Sequence, residues 1–181
     1  KGVPAPLVEA AFGVGLRDFG ESRVQEARAK LAHLPITWHM VGHLQTNKVR
    51  PALELFRLFH SVHSLRLARA LSQHASGEVE ILLQVNVSGE AARQGFAPQE
   101  VAPALGDLGS LPHLRVRGLM AIIPPVPEPE LVRPLFRKLR QLRDALGLEH
   151  LSMGMSDDFE VAVEEGATIV RVGRAIFGER S

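Results

Sequence analysis

A chain of 181 residues that is 45% hydrophobic has material for one sizeable core, and its 21 basic against 20 acidic side chains leave a net charge of +1. That balance supplies neither a basic field for a nucleic-acid backbone nor a polybasic membrane patch. The absence of cysteine excludes disulfides, thiolate metal sites and a cysteine nucleophile, and with no apolar run near the ~18 residues of a membrane span and no signal-peptide pattern, the expected setting is the cytoplasm.

Short apolar runs alternate with longer helical patterns along the chain. Pro4 to Val14 places Leu7, Val8, Ala11 and Phe12 on one helical face, ahead of a short strand, Leu16 to Phe19. Glu21 to Leu34 predicts a helix, Ile36 to Val41 a strand, Thr46 to Leu55 a helix and Leu58 to Val62 a strand. Ser64 opens a helix to about His74, and Val79 to Val87 is the clearest buried strand. Pro98 to Leu108 is helical, Leu114 to Ile122 a strand and Glu128 to Leu146 the longest helix, before two more strands near Leu151 and Ile169. No linker or composition shift divides the chain, so residues 1–181 are expected to form one domain.

Strands that alternate with helices argue for a parallel sheet with crossover helices. Seven such units and an abrupt start favour a TIM-type (β/α)8 barrel whose first strand precedes Lys1, with the native chain expected to continue upstream. An open doubly wound sheet is the alternative, but it lacks a GxGxxG fingerprint here.

In a barrel, ligand-contacting residues collect where strands end and loops begin. The groups that fall there are Gly20 and Glu21, His39, Gly42 and His43, His60 and Ser61, Asn86, Met120, Ser152 to Ser156, and Arg171 with Gly173. Taken singly, each could merely cap a helix or close a turn. Leu151 to Gly178 holds the densest cluster: two successive strand ends, each giving way to small residues and a helix start, describe a cradle for a phosphorylated small molecule. Arg171 stands inside an apolar, β-branched strand, where an unpaired charge is costly. It either pairs with a carboxylate or points at a ligand. His39 with His43, and His60 with His63, invite a metal reading, but no third ligand stands at convincing spacing, and no metal is expected. Ser152 and Ser156 lack the GxSxG elbow of a hydrolase nucleophile, which leaves phosphate contact as their better role; Asp157 and Asp158 supply helix-start charge.

Three segments then closely resemble a known family: FGESRVQE from Phe19 to Glu26, WHMVGHLQTNK from Trp38 to Lys48, and Leu151 to Gly178 with its SMGMS run. Gly118-Leu119-Met120 and Gln84-Val85-Asn86 fit the same pattern. The chain resembles the pyridoxal-phosphate homeostasis proteins in order along its whole length. That resemblance implies a barrel of the alanine-racemase amino-terminal kind (the type III pyridoxal-phosphate fold), with pyridoxal 5'-phosphate held as a lysine imine. The family's KxxPA pattern falls on Lys1 to Ala5, making Lys1 the implied cofactor lysine. By the same carry-over Arg171 faces the pyridine nitrogen, where a permanently charged arginine weakens the ring as an electron sink. Ser156, Gly173 and the amide of Arg174 hold the phosphate with help from Ser152, while Asn86, Met120 and His39 or His43 line the ring. Ser22 and Arg174 depart from the family, which commonly has asparagine and a small hydroxyl residue there.

The resemblance implies a monomeric cofactor carrier and regulator of vitamin B6 pools, with a small-molecule cofactor as its partner and no established catalysis. The competing reading is a pyridoxal-phosphate enzyme acting on amino acids. Racemases of this fold need a second acid/base, typically a tyrosine from a partner's β-domain, and this sequence contains no tyrosine. A phosphosugar barrel enzyme would use the same cradle without an imine.

Overall fold

The computed structural model describes residues 2–30 and 34–178. Seven strands, β1 (Asp18–Glu21), β2 (Thr37–Met40), β3 (Leu58–Val62), β4 (Val79–Gln84), β5 (Leu114–Met120), β6 (His150–Met155) and β7 (Ile169–Arg171), form one sheet in chain order. Every neighbouring pair is parallel. A parallel neighbour requires a crossover, and helices supply it: α1 (Ala5–Gly13) precedes β1, and α2 (Val24–Lys30), α3 (Val49–Leu53), α4 (Leu65–His74), α5 (Val101–Leu108), α6 (Arg133–Ala145), α7 (Phe159–Glu164) and α8 (Arg174–Phe177) follow the seven strands in turn. The result is a nearly closed barrel of the TIM type, with β1 and β7 as its two edges.

The central strands β3 and β4 are mostly apolar because both their faces are covered: all five residues of β3 are buried, and five of the six in β4. One set of side chains packs outward under the helices in the main core, including Phe59, Ile81, Leu83, Leu119 and Leu151. The opposite set points inward, where Leu58, Leu82 and Met120 form a smaller cluster with Ile169 against it. Inward positions beside this cluster are polar: Asp18, His39, His60, Ser152 and Arg171.

The seven strands expected from the sequence are the seven observed, with shifted ends. The first lies two residues later than Leu16 to Phe19, because Leu16 and Arg17 are used to finish α1. Leu16 N donates to Ala11 O at 3.1 Å, and the Arg17 guanidinium donates to Phe12 O at 2.8 Å. Gly20 and Glu21 therefore belong to β1 rather than to the loop after it. The helix expected from Glu21 to Leu34 begins at Val24 and is described to Lys30; residues 31–33 lie outside the described residues. Strand β4 stops at Gln84 rather than Val87: Val85 N still donates to Met120 O at 2.8 Å, but Val85 also bridges Phe96, and Asn86 N donates to Phe96 O at 2.9 Å. The helix expected to open at Ser64 does so, with the Ser64 hydroxyl accepting from Leu67 N at 3.3 Å.

Two glycines allow close approach at the carboxyl rim. A Cβ on Gly42 would lie 2.5 Å from the backbone of Ser22, so only glycine lets the β2 loop rest on the β1 loop. Gly154, at φ +90°, sits where a Cβ would come within 2.6 Å of Ala162 Cβ, which brings β6 and α7 together.

Candidate functional site

Arg171 ends β7 and points into the barrel. Its Nη1 donates to Ser152 O at 2.8 Å and to Ser152 Oγ at 2.6 Å, and its Nη2 donates to Ala121 O at 2.7 Å. The partners are two main-chain carbonyls and a hydroxyl, not the carboxylate that a structural ion pair would supply. Burial pulls its pKa down to about 10, with the charge of Asp158 opposing that fall, so the guanidinium still carries its charge at neutral pH. A guanidinium has five N–H groups. The Nε–H and the second Nη2–H make no hydrogen bond among the described residues.

A line of polar side chains runs across the interior from Ser152. Its Oγ lies 2.8 Å from His60 Nδ1, His60 Nε2 lies 2.9 Å from His39 Nδ1, and His39 Nε2 lies 3.0 Å from Asp18 Oδ1. Alternation along each strand turns these residues inward, and the parallel register brings them level. Ser152 and His60 are buried, whereas the Asp18 side chain is 69% exposed. Burial, followed by the nearby charges of His39, Arg171 and His150, pushes His60 well below the ordinary histidine range and keeps it neutral.

The loops after β6 and β7 meet beside Arg171. The Ser156 hydroxyl accepts from Gly173 N at 3.2 Å and from Ala175 N at 3.3 Å, joining the end of β6 to the start of α8. A Cβ at Gly173 would meet nothing within 4 Å, so the main chain there borders open space. Arg174 pairs with Asp157, while Asp158 Oδ1 accepts from Met155 N at 2.6 Å. The two aspartates, alike as helix-start charges in the sequence, thus do separate work: one ties α8 to the β6 loop and the other shapes the turn into α7. The Ser156 hydroxyl, which accepts from both amides and keeps its own hydrogen to donate, fits a phosphate or another oxyanion beside the open space at Gly173, and the cation on β7 fits an acceptor atom of a ring.

The structure brings together Ser152, Ser156, Arg171, Gly173 and Arg174 from the expected set. Ser152 differs in role, because its hydroxyl is engaged by Arg171 and His60. Met120 is fully buried in the inward cluster with Leu58 and Leu82. The Asn86 amide holds its own loop: Nδ2 donates to Glu90 O at 2.9 Å, and Oδ1 accepts from Gly89 N at 3.1 Å. His39 and His43 part company, the first inside the barrel and the second at the rim with its ring 4.7 Å from that of His63. Lys1 lies outside the described residues. A cavity of about 290 Å³ opens between the edge strands, lined by Phe19, Trp38, Val170, Val172 and Gly173 among others. Among the described residues no three histidine, aspartate or glutamate side chains gather as for a metal, and no helix is long and apolar enough to cross a membrane. Asp18 was not among the residues the sequence singled out.

The family described as the alanine racemase N-terminal domain matches residues 2–181. The pyridoxal phosphate homeostasis protein of Pseudomonas aeruginosa is 50% identical over 186 residues, covering 98% of this chain and 80% of that protein. The chain belongs to the pyridoxal phosphate homeostasis protein family. Another member, from Aquifex aeolicus, is 44% identical over 99% of this chain and 84% of its own length. Among solved structures, PipY of Synechococcus elongatus PCC7942 with PLP bound superposes with a TM-score of 0.88 at 38% identity, over 97% of this chain and 88% of that one. Alanine racemase of Clostridium difficile 630 shares the fold at a TM-score of 0.78, with 14% identity over 97% of this chain and 48% of the racemase. The barrel expected from the sequence is thus the barrel of this family.

Proposed function

We propose that this protein binds pyridoxal 5'-phosphate and serves intracellular vitamin B6 homeostasis as a monomeric cytoplasmic carrier, holding the cofactor as an imine with Lys1 and carrying no catalytic role. One observation carries this reading: a charged arginine at the end of β7, fixed by carbonyls rather than by a carboxylate, stands beside the Ser156–Gly173–Ala175 turn. A ring-nitrogen donor and a phosphate seat are thereby offered at adjacent strand ends. The naming of the relatives and the PLP bound to PipY support it. When bound, the cofactor supplies an aldehyde that condenses with amines. The chain's own share is to seat the phosphate at Ser156 and Gly173, orient the ring at Arg171, and offer the Lys1 amine. Racemase-like chemistry would need a second acid/base, and the absence of tyrosine from the sequence weighs against it.

Mixing the purified protein with pyridoxal phosphate should give an imine absorbance band, and borohydride followed by peptide mass analysis should find the cofactor on Lys1. A label on Lys30, Lys48 or Lys138, or on no lysine, would overturn the assignment. Exchange of an amino-acid α-proton in deuterated water above background would favour the enzyme instead.

A further inference from the structure

We propose that Asp18, His39, His60 and Ser152 are positioning residues, forming a hydrogen-bond chain of one fixed direction that holds the Arg171 guanidinium as a donor toward the ring nitrogen of pyridoxal phosphate. The inference rests on the function proposed above for its ligand, but the direction of the chain follows from the protein alone.

Both ends of the chain have a single obligation. Arginine can only donate, and an ionised carboxylate can only accept. His39 meets the Asp18 carboxylate with Nε2 at 3.0 Å, so Nε2 carries the hydrogen and, in a neutral ring, Nδ1 is bare. The bare Nδ1 lies 2.9 Å from His60 Nε2, which must therefore be the donor, leaving His60 Nδ1 bare in turn. Ser152 donates its one hydrogen to that nitrogen at 2.8 Å and accepts from Arg171 Nη1 at 2.6 Å. Each N–H or O–H between Asp18 and Arg171 Nη1 along the chain then meets an acceptor. With the direction reversed, a bare His39 nitrogen would face a carboxylate, and the Ser152 hydrogen would have no acceptor in a position of 0% exposure.

The neutrality that the chain needs at His60 is the state its surroundings favour, since burial disfavours its charge and the nearby charges of His39, Arg171 and His150 add to that. The chain crosses from edge strand β1 to edge strand β7 and reaches solvent at Asp18. At the inner end, three N–H groups of Arg171 are fixed on Ser152 and Ala121, so the remaining two have set directions. A rigid donor of this kind complements a ring nitrogen that is itself unprotonated.

Nitrogen-15 NMR of the full chain without added ligand should find His39 and His60 as Nε2–H tautomers at neutral pH. In Ser152→Ala, His60 should become a tautomer mixture, and in Asp18→Ala, His39 should do so. An Nδ1–H tautomer or a doubly protonated ring at either histidine of the wild type would overturn the chain. Binding supplies the second arm, using pyridoxal phosphate and its 1-deaza analogue, which has carbon in place of the ring nitrogen. Both variants should weaken pyridoxal phosphate by about 5-fold, the worth of one ordinary hydrogen bond, and leave the analogue within about twofold. Equal weakening of both ligands would make the chain merely structural and overturn its positioning role. Asp18 is exposed, so Asp18→Ala keeps the test open if Ser152→Ala does not fold. If the wild type binds neither ligand, the proposed function fails, and with it the role toward a ring; the tautomers still report whether the chain runs as argued.

Discussion

Replacing Arg171 with methionine separates an arginine kept for stability from one kept for a ligand. Burial lowers its pKa well below the ordinary arginine value, to about 10, so holding the charge inside the barrel costs roughly 3 kcal/mol at neutral pH. Methionine removes that cost. It also removes three hydrogen bonds, each worth roughly 1.5–3 kcal/mol when the donor is charged. The loss is softened at Ser152, where the carbonyl keeps Ala121 N at 3.1 Å and the hydroxyl keeps His60 at 2.8 Å. The balance is a net destabilisation of about 1–2 kcal/mol. Trp38, the single tryptophan and buried on β2, reports unfolding in urea. Because the folded-state pKa of this base is depressed, its cost is fully present below about 10 and is relieved only as pH rises above that value toward the ordinary arginine range. The arginine charge therefore adds no pH dependence to the stability difference in the neutral range. Affinity for pyridoxal phosphate should fall more steeply, by about 10- to 100-fold, the value of one charge-assisted hydrogen bond. A loss of about 4 kcal/mol or more in stability with unchanged affinity would refute this reasoning and make Arg171 a structural residue.

Two further outcomes test the frame around the site. Gly154→Ala places a side chain at φ +90° and within 2.6 Å of Ala162 Cβ and 3.1 Å of Phe159 Cα. Left-handed strain of about 1–2 kcal/mol and overpacking of about 1–3 kcal/mol add to a loss of about 2–5 kcal/mol, read from the urea midpoint; a loss under about 1 kcal/mol would mean that β6 and α7 are not in this contact. Glu165→Gln tests the outer brace, where a carboxylate of 4% exposure meets Arg137 at 2.8 Å and Arg133 and Arg140 at 3.4 Å. Its hydrogen bond from Arg137, followed by that from Arg133, holds its pKa below the ordinary carboxylate value. That stabilisation is present above the unfolded pKa and is lost as pH falls through the folded one. The variant should melt earlier than the wild type at neutral pH, and the gap should close in acid; a gap unchanged with pH would point to packing rather than charge.

Much of the frame was legible because a buried parallel strand has to be written as an apolar run, and a helix start has to satisfy its first amides. Leu58 to Val62 and Ser64 show both rules at work. Strand ends were less legible. Leu16 looks like a strand residue and Val87 like the end of one, but helix-ending hydrogen bonds claim the first, and Asn86 N turns to Phe96 O ahead of the second. Arg171 could be singled out because a charge in a β-branched run needs a partner. The partner itself could not be read, since main-chain carbonyls carry no sequence signature. Ser152 and Ser156 look equivalent in SMGMS, and only the pleat decides that one turns inward to Arg171 and the other lies at the turn with Gly173.

The interior chain shows why local spacing was the wrong guide to the histidines. His39 and His43 are close in sequence, which invites a shared ligand, yet the barrel sends them to different places. Asp18, His39 and His60 stand 21 residues apart in succession. In this part of the chain that interval is one βα unit, so each lands inward on the next strand, in reach of the last. The period of the fold, not the period of a helix, assembles them. A polar residue placed inward once would be an unmatched group in an apolar barrel and a cost to stability. Repeated on consecutive strands, with a donor-only arginine at one end and an acceptor at the other, the same residues satisfy one another. The interior can then hold a fixed cation where an aliphatic layer could not.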